Sequence, residues 1–278
     1  MTRITFKEFL QYLLEGPKAV YCDLLVDKYL KYSAEFEEEE EGKNDCTGFF
    51  TDAGVCAEFS EYTQSSGTIV FCAIFQIKNN CNYLPMLEFF QKKIQNIGKK
   101  QKVVSAEAFV YLNEKGITNE LIETSTLACV PQQGVCNTKN IRHLTEADEC
   151  EIKQVLFSEE DSVIGKVVAS AVQSFDWSGD ESMLGYWDED RVLSGVISYN
   201  YSETADLASV CQVFVKPSKR GKGIARNLLL CTLSQYRNKY WCYTVASGNI
   251  PSVKLAQSCG FQAIGGTVYF DLSKEIHL

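Results

Sequence analysis

A chain of 278 residues with 45% apolar and 23% charged side chains is neither disordered nor fibrous, and its length suggests two domains. A net charge of -9 repels a polyanion over most of the surface, which argues against nucleic-acid binding as the main activity. Its 12 cysteines are scattered through apolar segments and read as free thiols; with 2 histidines and no CxxC, no metal-ligand spacing is present and no metal is expected.

From the N-terminus, the spacing of Ile4, Phe6, Phe9, Leu10, Leu13 and Leu14, then of Tyr21, Leu24, Leu25 and Tyr29, predicts two short helices over residues 4–32, separated at "EGP". Polar residues interrupt the apolar ones there, so no secretory signal is expected. The acidic run from Glu35 to Asp45 repels itself and reads as a solvated loop. Strands are expected at Val55–Phe59 and Thr68–Ile77, followed by a helix over Leu84–Ile97 closed by Gly98 and another over Ala106–Glu114. The longest apolar run, Thr68–Phe75, falls far short of the roughly 18 residues needed to cross a bilayer, so no membrane partner is expected.

"CVPQQGVCNTKN" (Cys129–Asn140) combines Pro and Gly with little periodicity and is the expected domain boundary, dividing the chain into 1–133 and 134–278. Beyond it "IRHL" reads as a strand. Thr145 with Asp148 forms a capping-box start to a helix through Leu156, and a further helix is expected over Val163–Phe175. Strands follow in "MLGYWDED", "VLSGVISYN" and "LASVCQVFV", the first two joined at "DEDR".

The third of these strands runs into "VKPSKRGKGIARNLLL", Val215–Leu230. Pro217 cannot continue a sheet ladder, and from Ile224 the apolar spacing is helical. A strand-to-helix turn leaves the first helical amides unpaired, and their dipole favours an anion. Gly221 and Gly223 let a diphosphate approach the backbone, while Arg220, Lys222 and Arg226 add charge-assisted contacts. The signatures of nucleotide P-loops and of dinucleotide folds are both missing.

Arg220, Gly223 and Ala225 resemble the Arg/Gln-x-x-Gly-x-Gly/Ala signature of the GNAT superfamily of acyl-CoA-dependent N-acetyltransferases. In "NIPSVKLAQSCGF", the order Asn249, Ser252, Leu255, Gly260, Phe261 is similar to that family's last motif. The resemblance spans about Cys136 to Leu278. It implies an α+β GNAT fold: a central mixed, mostly antiparallel twisted sheet flanked by helices. It also implies acetyl-CoA as acyl donor and the amine of a small molecule as acceptor. The diphosphate would rest on residues 220–226, that is Arg220, Gly221, Lys222, Gly223, Ile224, Ala225 and Arg226. Val213, Phe214 and Val215 would hold the pantetheine and the thioester carbonyl, with Asn249 and Ser252 alongside.

No general base declares itself. The family often places a carboxylate near the position of Leu207, where Glu203 and Asp206 are the neighbouring candidates. Many relatives protonate the leaving thiolate with a Tyr that here is Ala256, so Tyr243 is a candidate substitute, with Ser252 near it in sequence. Trp177, Trp187 and Trp241 read as core aromatics ahead of an acceptor pocket. The alternative to an enzyme is a non-catalytic acyl-CoA-binding or regulatory module. A cytoplasmic chain, monomeric or homodimeric, is expected.

The first half is expected to be either a second, decayed GNAT-like copy, as in two-domain members that resemble glycine N-acyltransferases, or an unrelated α+β domain with a chance helix-Gly ending. "SAEAFVYLNEKGI" (Ser105–Ile117) has the spacing of the last motif, with Ala108 for Ser252 and Gly116 for Gly260. The turn of that copy, "KNNCNYLP" (Lys78–Pro85), has no glycine and one cation, so one acyl-CoA per chain is expected.

Overall fold

The computed structural model describes residues 1–16, 47–78, 81–112, 122–129, 137–156, 181–201, 207–236, 239–246 and 248–273. The chain divides into two compact units: Met1–Thr126 with Val245–Gly248 and Ala263–Leu278, and Leu127–Thr244 with Asn249–Gln262.

The first unit starts with β1 (Thr2–Ile4) and α1 (Phe6–Glu15). Thr5 caps α1 in a reciprocal box: Glu8 N donates to Thr5 Oγ1 at 3.2 Å and Thr5 N donates to Glu8 Oε2 at 2.8 Å. Phe6, Phe9 and Leu13 are buried along one stripe of the helix. They pack, with Phe9 and Phe49 ring centroids 4.8 Å apart, on Phe49, Cys56 and Phe75. These last residues belong to a meander of β2 (Thr47–Asp52), β3 (Val55–Gln64) and β4 (Gly67–Gln76), antiparallel throughout. Then α2 (Leu84–Gly98) lays Met86, Leu87, Phe90 and Ile94 against Val55, Ala57, Phe59, Cys72 and Ile74, and β5 (Val103–Leu112) pairs with β4 in parallel. Because side chains alternate along β3, Cys56 and Ala57 serve the two different cores.

β5 corrects an expectation: the segment read as a helix over Ala106–Glu114 is a strand as far as Leu112. Ala106, Ala108, Val110 and Leu112 are buried and their intervening neighbours are half-buried, a period of two rather than 3.6. The proposed match of Ala108 to Ser252 in a shared helix fails with it. Residues 113–121, with Gly116, lie outside the described residues. The last strand of the chain, β12 (Gln262–Asp271), pairs antiparallel with β5, Val268 facing Val110, and contributes Val268 to the α2-side core.

β6 (Ile122–Cys129) leads toward the second unit, which begins its own series with β7 (Ile141–His143), a 3-10 turn at Glu146–Asp148 and α3 (Glu149–Leu156). β8 (Glu181–Trp187), β9 (Leu193–Tyr201) and β10 (Leu207–Val215) form an antiparallel meander, followed by α4 (Ile224–Gln235) and β11 (Tyr240–Ala246), which pairs with β10 in parallel. α5 (Ile250–Ser258) follows. Thus the second unit repeats the order of the first: short strand, helix, three-stranded meander, helix, parallel strand. The repeat expected from sequence exists, but α2, not residues 105–117, provides its most visible helix.

The expected start at Thr145 is present. Asp148 Oδ2 accepts from Thr145 N at 2.9 Å, and Arg142 clamps the same carboxylate with two hydrogen bonds of 2.7 and 2.9 Å. The clamp and the Thr145 contacts hold the Asp148 pKa down at about 2 against the opposing cost of burial. The helix expected at Val163–Phe175 and the second expected near the N-terminus lie outside the described residues, as does the acidic run. No described helix is long and apolar enough to cross a membrane.

Candidate functional site

Each unit turns once from the last strand of its meander into a helix, from β4 into α2 and from β10 into α4, and in the second unit the turn is open. A 3-10 turn at Pro217–Lys219 follows Val215, and Gly221 and Gly223 then take positive φ of +77° and +76°. This left-handed backbone is costly for any residue with a Cβ. A Cβ built on either glycine would meet nothing within 4 Å, so the space beside both is empty. Gly223 is the N-cap of α4 and has no side chain to accept from its amides. The first donor inside the helix is Asn227 N, to Gly223 O at 2.9 Å. Among the described residues no group accepts from the amides of Gly221 to Arg226. An exposed row of donors at the positive end of a helix is what an anion requires.

Packing holds that turn in place. Ile224, Leu228, Leu229, Cys231, Thr232 and Leu233 bury one side of α4. β9 has Gly195 under its first turn, where a Cβ would stand 2.9 Å from Ile224 Cγ2. Asn227 and Asn137 clasp each other, Asn227 Nδ2 donating to Asn137 O at 2.9 Å and Asn137 N to Asn227 Oδ1 at 3.1 Å.

The five cations of this stretch differ in use. Lys219 forms an ion pair with Asp188 of the β8–β9 hairpin, holding that carboxyl well below the usual range. Arg220 turns back on its own strand: Nε donates to Val215 O at 3.1 Å and the guanidinium lies 5.7 Å from the Phe214 ring centroid. It therefore braces the turn that the amides line. Among the described residues no carboxylate pairs with Lys216, Lys222 or Arg226, and Lys222 and Arg226 are exposed. The net +3 of those three side chains lies on a chain of net charge -9.

β10 and β11 pair only from Leu207–Tyr240 to Val210–Tyr243, although β10 runs on to Val215. A register shift between Val210 and Gln212 against β9 marks a bulge at Cys211, beside the last rung. Beyond it no described strand pairs with the β11-side edge of β10. Lys216 N donates to Ser194 O at 3.0 Å, in register with Val215 opposite Gly195. Alternation in an antiparallel ladder then turns the backbone groups of Phe214 and Gln212 toward β9, and those of Val213 and Val215 toward the open edge. Of the three backbone positions expected to face pantetheine, Val213 and Val215 turn their backbone groups to that edge, where Val215 O accepts from Arg220 Nε. Phe214 instead buries its ring with Leu144, Val196 and Ile152.

Asn249 caps α5, its Oδ1 accepting from Ser252 N at 3.3 Å. Tyr243, on the last rung of the fork, meets Ser252 with their hydroxyl oxygens 2.6 Å apart. Burial pushes the Tyr243 phenol above its ordinary pKa, with the Ser252 hydrogen bond opposing. Its ring stands edge-on to Phe261, centroids 5.7 Å apart. Ala256, where many relatives would have Tyr, is fully buried. Glu203 and Asp206 lie outside the described residues, so the structure brings neither to this site. Trp241 is core, fully buried with Nε1 donating to Tyr236 O at 3.1 Å, and Trp187 lies under the Arg142 guanidinium at 4.0 Å; Trp177 is outside the described residues.

Residues 145–261 match the model of the acetyltransferase (GNAT) family. They are a GNAT acetyltransferase domain. Enzymes of this family transfer acyl groups from acyl-CoA. No curated protein matches the chain. A GCN5-related N-acetyltransferase from Sphaerobacter thermophilus is 14% identical, with 88% of this chain and 87% of that one covered and a TM-score of 0.51. This likeness concerns the fold. A tandem GNAT protein from the clavulanic acid biosynthesis pathway is 10% identical with 99% of both chains covered, at a TM-score of 0.49. The aminoglycoside antibiotic 6'-N-acetyltransferase AAC(6')-Ih from Acinetobacter baumannii is 18% identical, with 50% of this chain and 99% of that one covered, at 0.39.

The matching turn of the first unit is closed to this use. Leu84 N, the first amide of α2, donates to Asn82 Oδ1 at 3.0 Å, and Pro85 removes the next donor.

Proposed function

We propose that the second unit moves an acetyl group from acetyl-CoA to the amine of a small molecule by direct attack of the amine on the thioester. The observation that carries this reading is the open row of amides from Gly221 to Arg226, continuous with the open edge of β10 at Val213 and Val215. The amides and the side chains of Lys222 and Arg226 suit a diphosphate, and backbone groups on the strand edge suit the amides of pantetheine. A donor on that edge aimed at the thioester oxygen would stabilise the charge that develops as nitrogen attacks.

The reading includes a division of the chain at residues 133 and 134, one acyl-CoA per chain, and residence in the cytoplasm. In support of the last, no disulfide joins the described cysteines to one another. Calorimetric titration with acetyl-CoA tests the assignment. Saturable binding at micromolar ligand is expected, and Gly221→Glu, which puts a carboxylate against the diphosphate, should abolish it. No heat at millimolar acetyl-CoA would overturn the assignment. Binding without acetylation of any amine in a broad panel would instead favour a carrier or regulatory module.

A further inference from the structure

Resting on that reading, we infer that Tyr243 and Ser252 together form the acid that receives the departing sulfur, standing in for the side chain that Ala256 lacks. The inference starts from length. From Val215, the last strand residue before the turn that carries the amide row, β10 runs back five residues to Val210, its last rung with β11, opposite Tyr243. At roughly 3.3 Å per residue that is about 17 Å, the order of an extended pantetheine arm. An arm anchored by its diphosphate at one end of this edge brings its thiol to the fork, where Tyr243 is.

Chemistry at the fork agrees. Ser252 stands one helical turn before Ala256 and on the same face of α5. Ser252 is half-buried and its hydroxyl oxygen lies 2.6 Å from that of Tyr243. With the phenol donating to Ser252 Oγ, the serine proton is left to point toward the sulfur. Tyr243 is buried against Phe261 and cannot swing outward without breaking that packing. Ser252 is thus the catalytic residue that touches sulfur, and Tyr243 is a positioning and proton-supplying residue acting through it.

The step balances. The amine nitrogen bonds to the carbonyl carbon, the C–S bond breaks with its electron pair on sulfur, and sulfur takes the proton of Ser252. Ser252 takes the proton of Tyr243. The attacking amine is neutral; its nitrogen, made cationic by the attack, gives one proton to water, and water returns one to the tyrosinate. The products are the acetylated amine and CoA thiol.

The test needs no knowledge of the acceptor. CoA itself is bound to the full chain, and the ultraviolet absorbance of its thiolate is followed with pH against the same complex made with desulfo-CoA. Donors at sulfur favour the thiolate, so the bound thiol should titrate about one unit below the ordinary thiol value of ~8.5. Ser252→Ala should return it to that value, Tyr243→Phe should return it part of the way, and Ser252→Thr should keep the wild-type titration. Thiol pKa values that are the same in wild type, Ser252→Ala and Tyr243→Phe, with CoA bound in all three, would overturn the relay and leave acyl-CoA binding standing. A wild-type chain that does not bind CoA would overturn the parent reading, and the relay with it. Should the Ser252 variants fail to fold, the near-isosteric Tyr243→Phe decides alone: no change in its titration refutes the relay.

Discussion

Replacing Gly223 by alanine separates the cost of bending the chain from the cost of losing an anion site. With φ of +76° and nothing within 4 Å of the added Cβ, the substitution meets no clash. Its penalty to folding is then the left-handed backbone alone, about 1–2 kcal/mol. That lowers Tm by a few degrees. The same open space is where a diphosphate would press on the amides, and the methyl group holds it off. Loss of one hydrogen bond to a charged group, about 1.5–3 kcal/mol, weakens acetyl-CoA binding roughly ten- to hundred-fold. Calorimetry with two ligands tests the argument: acetyl-CoA should lose this affinity and S-acetylpantetheine, which has no diphosphate, should lose none. Equal weakening of both ligands, or of neither, would refute the idea that Gly223 serves the diphosphate.

Other outcomes follow from the packing and the charges. Leu228→Ala empties a fully buried position under α4 and should cost about 2–5 kcal/mol in denaturant unfolding. Asp148 has its folded pKa held at about 2 by Arg142 and Thr145, below its unfolded value of 3.8. Its stabilisation is therefore present above about pH 4 and lost as pH falls toward 2. Asp148→Asn should accordingly melt below wild type at pH 7 and together with it at pH 2, by circular dichroism. Burial pushes the Cys129 thiol up to about 12 and those of Cys56 and Cys72 well upward. Alkylation of the native chain near pH 8, read by mass spectrometry, should therefore label exposed Cys150 long before these three.

The site was more legible than the framework around it because its signals are local. Pro217, Gly221 and Gly223 punctuate one short turn, and the apolar spacing from Ile224 onward marks the helix that the turn feeds. β5 was misread for a physical reason. Its inward positions include Ala106 and Ala108, small residues with high helix propensity, so the alternation carries little hydrophobic contrast. The strand is settled by pairing with β4 and β12, partners that lie far away in sequence. Arg220 was read as a phosphate ligand from its charge, whereas its contact with Val215 O depends on how the turn folds back. Tyr243 and Ser252 were each visible, but their hydrogen bond requires the strand and helix to be stacked at a particular register. The asymmetric use of Val213 and Phe214 likewise emerges only once the ladder with β9 is known.

The pairing of β12 with β5 sets a timetable for the chain. A ribosome working at roughly 5–20 residues per second releases β5 on the order of ten seconds before the strand that covers its flank. During that interval a row of amides and carbonyls lies uncovered beside Val110 and Leu112, open to association with another nascent chain. A protein cut short before Gln262 would keep that edge bare permanently, so loss of the last 17 residues should harm solubility by baring a strand that ends at Leu112.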